Sequence, residues 1–345
     1  MNHELTAWWI HGAATVASAA LLSAGLIVVI YPLLKRHAVA KPTHRSSHLR
    51  PTPQGGGTAV IAATIVAACG ALYFSAAASA APTTLLPVFV ATVFIAAVGA
   101  ADDVRSVAIV PRLLLQALAV ALVIYALPAD LRVVPLLPWW IERALLVVGG
   151  LWFVNLVNFM DGLDWMTVAE MVPITAALAL IGALGFLPPH GLIVALSLCG
   201  ALIGFAYFNR PVAKLFLGDV GSLPIGLLVG WLLLLLAAGG HLAAAIMLPL
   251  YYLVDASITL VRRLARGEPV WLAHRSHFYQ LATDRGFTVV DVVARVFVVN
   301  IGLAALAVVT VVMPGKPSDL GALPAAAALV SWLLVTFARG KARKT

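Results

Sequence analysis

Stretches of about twenty apolar residues recur from one end of this chain to the other, and that length is what an α-helix needs to cross the hydrocarbon of a bilayer. Eleven such stretches are recognisable: 13–34, 56–78, 83–100, 112–128, 141–158, 166–187, 190–208, 221–238, 241–261, 289–313 and 320–338. They leave no room for a separate soluble domain, and the longest loop, 262–288, is expected to hold a short interfacial helix. Only 10% of the residues are charged, where a soluble domain carries roughly 25%. Most of the surface must therefore face lipid. Because the runs continue throughout and none is followed by a soluble domain, the first is read as a span and not as a signal peptide. The expected fold is all-α: one polytopic helical membrane domain over residues 1–345 with about eleven transmembrane helices.

Direction follows from the basic residues. Lys35, Arg36, Lys41, Arg45 and Arg50 precede the second span, and Arg262, Arg263, Arg266, Arg275 and Arg285 fill loop 262–288. Arg339, Lys341, Arg343 and Lys344 close the chain. By parity these lie on one side with Arg105, Arg112, Arg210 and Lys214, against Arg132, Arg143 and Lys316 on the other. The positive-inside bias makes the crowded side cytoplasmic, so the N-terminus is expected in the periplasm and the C-terminus in the cytoplasm. Trp8, Trp9, Trp139 and Trp140 then fall at periplasmic boundaries, where an aromatic belt is expected. The net charge of +8 is accounted for by those loops, and no nucleic-acid partner is expected. The two cysteines, Cys69 and Cys199, sit inside apolar runs and read as small buried hydrophobes.

Ionisable groups are costly near lipid, so where the few acids fall is informative. Asp102 and Asp103 end the third span; Asn155, Asn158, Asp161 and Asp164 straddle the end of the fifth; Asp219 lies between the seventh and eighth; His274 and His277 lie between the ninth and tenth. Each position follows an odd-numbered span, so parity gathers all of them on the cytoplasmic face. Adjacent carboxylates at Asp102-Asp103 repel unless a cation or an arginine offsets them, and Arg105 is the nearest candidate. Gly218-Asp219-Val220-Gly221-Ser222 opens an apolar run, with Asp219 or Ser222 suited to the N-cap. Gly55-Gly56-Gly57 is either a tight entry into a helix or a phosphate cradle. Hard oxygens, amides, arginine and histidine without a cysteine set suit Mg²⁺ with phosphate, not structural zinc.

In order along the chain, Arg45-Ser46-Ser47-His48 with Pro51-Thr52-Pro53-Gln54-Gly55-Gly56, Gly99 with Asp102-Asp103, Asn155-Leu156-Val157-Asn158-Phe159-Met160-Asp161-Gly162-Leu163-Asp164, Leu217-Gly218-Asp219-Val220-Gly221-Ser222 and His274-Arg275-Ser276-His277 resemble the polyprenyl-phosphate N-acetylhexosamine-1-phosphate transferases. That superfamily includes the phospho-N-acetylmuramoyl-pentapeptide transferases and the enzymes that start O-antigen, common-antigen and teichoic-acid chains. The likeness spans residues 35 to 285. It implies transfer of a HexNAc-1-phosphate from a UDP-sugar to undecaprenyl phosphate at the inner (plasma) membrane, with Mg²⁺ (or Mn²⁺) as cofactor. It also implies the bilayer and a homodimer as partners. Position by position it implies Asp219 as the main metal ligand, helped by Asn158 or Asp161. Asp102 and Asp103 would stand near the lipid phosphate and the metal, and Asp164 beside the nucleotide-sugar pocket. The four acids Asp102, Asp103, Asp161 and Asp164 make up the catalytic set. Substrate contacts would come from Asn155, Asn158, His274, Arg275 and His277, with Lys41, Arg45 and His48 on phosphate.

Three departures stand out. His-Arg-Ser-His replaces the peptidoglycan enzymes' run of three histidines, which argues against a MurNAc-pentapeptide substrate and for the O-antigen-type branch. Trp165 follows Asp164 where family members usually carry a second glycine, and Arg105 stands where many carry lysine. The reading from another class is a transporter or lipid flippase. Such proteins place ionisable groups near the midplane of internal repeats, a pattern not visible here.

Overall fold

The computed structural model describes residues 2–40, 50–74, 82–272, 274–313 and 315–341. Thirteen helices account for almost all of it, in the order α1 (Asn2–His37), α2 (Gly57–Tyr73), α3 (Pro82–Val104), α4 (Ile109–Ala126), α5 (Trp139–Met160), α6 (Met166–Ala183), α7 (Pro189–Ala206), α8 (Asp219–Ala238), α9 (Leu242–Met247), α10 (Leu250–Ala265), α11 (Phe278–Asp284), α12 (Val289–Val312) and α13 (Lys316–Arg339). Between α1 and α2, β1 (Val39–Ala40) pairs antiparallel with β2 (Thr52–Pro53). Lys41, Arg45 and His48 lie outside the described residues.

Among the described residues, nine helices are long and apolar enough to cross a membrane, and α2 is a shorter apolar helix. Large apolar side chains such as Leu21, Val29, Leu86, Leu114, Leu118, Val148 and Val298 point outward over much of this surface. A contiguous apolar exterior of that extent has no place in water. The chain is a multi-pass helical membrane protein.

The ninth expected span, 241–261, is not one helix. Pro249 lacks an N–H and separates α9, six residues long, from α10. Helix α10 is two-faced: Tyr251, Tyr252, Asp255, Ala256 and Thr259 are buried, while Ile258, Val261, Arg262 and Leu264 are exposed. The short helix expected in loop 262–288 exists as α11. It buries Phe278, Tyr279, Gln280 and Ala282 and packs against α10, α12 and α13. Of the two cysteines, Cys199 is buried as expected, but Cys69 is exposed on the outward side of α2.

Helix α8 is the most deeply buried of the spanning helices and packs against α2, α3, α5 and α9. Two glycines allow its N-terminal end to be approached by backbone. A Cβ on Gly57 of α2 would meet the Cα of Gly221 at 2.1 Å, and one on Gly99 of α3 would meet the carbonyl oxygen of Asp219 at 2.3 Å. Helix α6 is tied to α12 by a polar contact inside the bundle: Asn300 Nδ2 donates to the Glu170 carboxylate and to the Ala169 carbonyl at 3.1 Å. A carboxyl group inside a membrane bundle is tolerated only when partnered in this way.

Candidate functional site

A helix leaves its first four N–H groups without intrahelical partners, and α8 begins inside the protein. Its N-cap position is Gly218, which has no side chain to offer. The cap comes instead from α3. Asp103 accepts the N–H of Asp219 on Oδ1 at 3.0 Å and the N–H of Val220 on Oδ2 at 3.1 Å. Gln54 holds Asp103 from the other side, donating Nε2 to its carbonyl at 3.0 Å. Neither Asp219 nor Ser222, the residues expected at the N-cap, fills that role. Both are bound by Asn158 from the end of α5, whose Nδ2 donates to Asp219 Oδ1 at 2.7 Å and Ser222 Oγ at 2.9 Å.

The chain ends of α3, α5 and α8 thus meet at one end of the bundle, and Asp102, Asp103, Asp161 and Asp219 meet with them. Asp102 and Asp103 are the charged neighbours of Asp219. Asp161 follows the last residue of α5, where Thr167 donates its hydroxyl to Oδ1. Burial pushes the Asp161 carboxyl up to about 7; the Thr167 bond opposes this, while the nearby charges of Asp219, Asp103 and Asp164 add to it. Asp102 is held by Arg112 Nη1 and by the N–H of Val107 at 2.7 Å. The arginine offsetting the acid pair is therefore Arg112, from the first turn of α4. Arg105 is exposed in the linker.

Other expected site residues sit elsewhere. Asn155 is buried one turn deeper in α5, where Nδ2 donates to Gln116 Oε1 at 2.8 Å and to Leu151 O at 2.9 Å, joining α5 to α4. Asp164 accepts the N–H of Ala213 on Oδ2 at 2.9 Å, facing the loop between α7 and α8. The N–H groups of Gly55, Gly56 and Gly57 are spent on the carbonyls of Phe216 and Leu217. Of the two readings of that glycine run, the tight helix entry holds and the phosphate cradle does not.

His274, Arg275 and His277 lead into α11. His277 is 2% exposed, its Nδ1 is 3.4 Å from Asp255 Oδ1, and its ring lies 4.8 Å from that of His274. Arg275 pairs with Asp284 at 3.0 Å. Burial, then the neighbouring His277 and Arg263, pull the His274 imidazole down to about 4, so it is neutral at physiological pH. This segment reaches the acids through Tyr279, whose hydroxyl donates to Phe159 O at 3.1 Å, next to the Asp161 turn.

Asp255 was not singled out in the sequence, yet it anchors that whole segment. It is fully buried in α10 and accepts the N–H groups of Phe278 at 3.0 Å and Tyr279 at 3.3 Å, with the Tyr251 hydroxyl at 3.1 Å. An acid in the middle of an apolar run was the available signal, for Asp255 as for Glu170.

An apolar hollow lies between α4, α5, α8, α9 and α10, bordered by Val120, Gly149, Phe153, Gly226, Gly230 and Ile246 among others. A Cβ on Gly149 would meet nothing within 4 Å. The hollow's lining ends at Val154 on α5 and Gly226 on α8, about one turn from Asn158 and two turns from Asp219.

A transferase embedded in the bilayer is the class these features and the comparisons define together. Residues 85–237 match the family described as glycosyl transferase family 4, a stretch running from α3 through α8 and containing every acid of the cluster. The chain is 32% identical over 237 residues to a phospho-N-acetylmuramoyl-pentapeptide-transferase of Leuconostoc citreum, covering 60% of this chain and 72% of that protein. It is 25% identical over 281 residues to a probable undecaprenyl-phosphate N-acetylglucosaminyl 1-phosphate transferase of Bacillus subtilis, covering 76% of each. The chain belongs to glycosyl transferase family 4, in the superfamily of polyprenyl-phosphate N-acetylhexosamine-1-phosphate transferases.

The Asp103 cap gives a stability prediction. Asp103→Ala removes the acceptor for two N–H groups at a buried helix start and is expected to cost about 1–2 kcal/mol, read as a lower Tm in detergent. Asp103→Asn, which keeps one acceptor oxygen, should lose less. Equal Tm values for all three proteins would show that the cap contributes nothing.

Proposed function

We propose that the chain transfers a HexNAc-1-phosphate from a UDP-sugar to undecaprenyl phosphate, releasing UMP, at the cytoplasmic face of the bacterial inner membrane. UDP-GlcNAc is the leading donor, in line with the Bacillus relative's name, and a UDP-6-deoxy-HexNAc of the FucNAc or QuiNAc kind is second. The product starts an O-antigen or another envelope polysaccharide. The proposed topology keeps the orientation set by the basic loops, with eleven crossings, the ninth broken at Pro249. The observation that carries the reading is the knot of Asp103, Asn158, Asp161 and Asp219 at the ends of α3, α5 and α8. Phosphate chemistry needs such a knot, and the apolar hollow farther along α5 and α8 is the proposed place for a lipid tail. A flippase would place its ionisable groups near the midplane, and this cluster is at the helix ends.

Among the described residues no three acid, histidine or cysteine side chains stand as a ready-made cation cage. Mg²⁺ binds through one or two carboxylates and completes its shell with substrate phosphates and water. Asp219 and Asp161 would hold it, with Asn158 orienting Asp219. When bound, the cation neutralises charge on the diphosphate. The protein's own groups do the rest. Asp103 uses both oxygens on α8, and Asp102 uses both on Arg112 and Val107, which holds the two in place. An oxygen of the lipid phosphate attacks the phosphorus bearing the sugar, and UMP leaves. A monoester with a second pKa of about 6 is already ionised at neutral pH and needs no strong base.

Three outcomes test the proposal. Purified protein with UDP-GlcNAc, undecaprenyl phosphate and Mg²⁺ should release UMP, and Asp219→Asn should cut that rate by at least about a hundredfold while remaining folded. Near-full turnover by that variant would remove Asp219 from the chemistry. Because Asp161 titrates near 7, it carries a proton at pH 6 that a cation must displace and is ionised at pH 8. The Mg²⁺ concentration for half-maximal activity should therefore rise as pH falls from 8 to 6; a flat profile would place the cation away from Asp161. Gly149→Leu fills open space in the hollow and is expected to raise the KM for undecaprenyl phosphate roughly tenfold or more with the KM for UDP-GlcNAc unmoved. An unchanged acceptor KM would send the tail elsewhere.

A further inference from the structure

Trp165 is the one non-glycine residue with positive φ among the described residues, at φ 65° and ψ 0°. A bulky L side chain reaches that left-handed region only when its surroundings hold it there. What holds it is the loop between α7 and α8. The N–H of Trp165 donates to Asn209 Oδ1 at 2.7 Å, and its indole Nε1–H donates to Ala206 O at 2.6 Å. Asn209 is buried and donates in turn to Leu215 O at 2.9 Å. Next door, Asp164 accepts the N–H of Ala213. Two consecutive residues of the α5–α6 turn thus clasp the end of α7 and the first half of the α7–α8 loop.

That loop has the chemistry of an anion-binding rim. Arg210 and Lys214 are exposed on it, with the Arg210 guanidinium 4.9 Å from the centre of the Tyr207 ring. It leads directly into Gly218-Asp219, while the turn that clasps it begins at Asp161. The loop therefore puts basic and aromatic side chains on the segment that carries Asp219, and the turn that clasps it carries Asp161. A nucleoside diphosphate, with a flat base and a doubly charged linker that also attracts a cation, matches that set of groups. A glycine would adopt the Trp165 backbone conformation without strain but would make neither the indole bond nor the contact. The strained residue is there to fix the loop.

We propose that Trp165 is a positioning residue that pins the basic α7–α8 loop against the Asp161–Asp164 turn and thereby sets the affinity for the nucleotide donor. The identity of that donor rests on the function proposed above. The loop's pinning does not.

The test uses the full-length protein with Trp165→Gly and Trp165→Phe. Trypsin cleavage after Lys214 should be faster in Trp165→Gly than in the wild type. Calorimetric binding of UDP with Mg²⁺ should weaken, and the donor KM should rise, by about tenfold, with the KM for undecaprenyl phosphate unchanged and the Tm equal or higher. Trp165→Phe, which keeps the ring but not the Nε1–H, should fall between. Unchanged cleavage and unchanged UDP binding would overturn the proposal. So would equal losses for donor and acceptor together with a lower Tm, which is the signature of a merely structural residue. A wild-type protein that binds UDP but releases no UMP would sink the transferase reading and leave the pinning measurable. A wild-type protein that turns over, with Trp165→Gly indistinguishable from it, would sink the pinning alone.

Discussion

The arrangement depends on the start of α8. A helix that begins inside a membrane protein exposes N–H groups where water is scarce, and each one left unpaired is costly. The sequence places Gly218 at the cap, so the acceptor has to come from another helix. Asp103 supplies it, and a carboxylate is the strongest partner such a positive helix end can have. This contact fixes the end of α3 against the start of α8. The end of α5 joins through Asn158, which reaches both Asp219 and Ser222. Three helix termini, far apart in sequence, are thereby locked together, and their acids are locked together with them.

Crowding carboxylates is unfavourable, and the structure deals with each one differently. Asp103 is offset by helix N–H groups and Asp102 by Arg112. Asp161 is met by the Thr167 hydroxyl and Asp219 by the Asn158 amide. Neither partner cancels a charge. Two acids are thus offset by a helix end or an arginine, and two have no cationic partner beside them. That division follows from the hydrogen bonds, and it is why the proposed cation is given to Asp161 and Asp219.

Much of this was legible in the sequence, because lipid imposes a coarse code. Apolar runs of spanning length gave most of the helices, and acids at the ends of those runs gave the cluster. What stayed hidden were choices between neighbours that only packing decides. Arg105 is close to the acid pair in sequence, but the short linker to α4 turns Arg112 onto Asp102. Asn155 shares its pattern with Asn158, yet one helical turn places its amide against Gln116. The glycine run at 55–57 has the composition of a phosphate loop, but its N–H groups are claimed by the strand-like segment ahead of Asp219. The break at Pro249 was written in the chain and was masked by the apolar residues on both sides of it.

Asp255 shows why a broken helix suits this site. Within α10 itself Asp255 accepts only hydroxyls, from Tyr251 at 3.1 Å and Thr259 at 3.3 Å. The break lets α10 turn a face inward, where Asp255 gathers the first N–H groups of α11 and the Tyr251 hydroxyl. A second buried carboxylate then serves a second helix start, as Asp103 serves α8. Both capped starts converge on one turn. Tyr279 of α11 bonds Phe159 just before Asp161, and Asn158 of the same turn bonds Asp219 of α8. The end of α5 is the shared wall of the two halves of the site, so a change in either cap must be felt at Asp161.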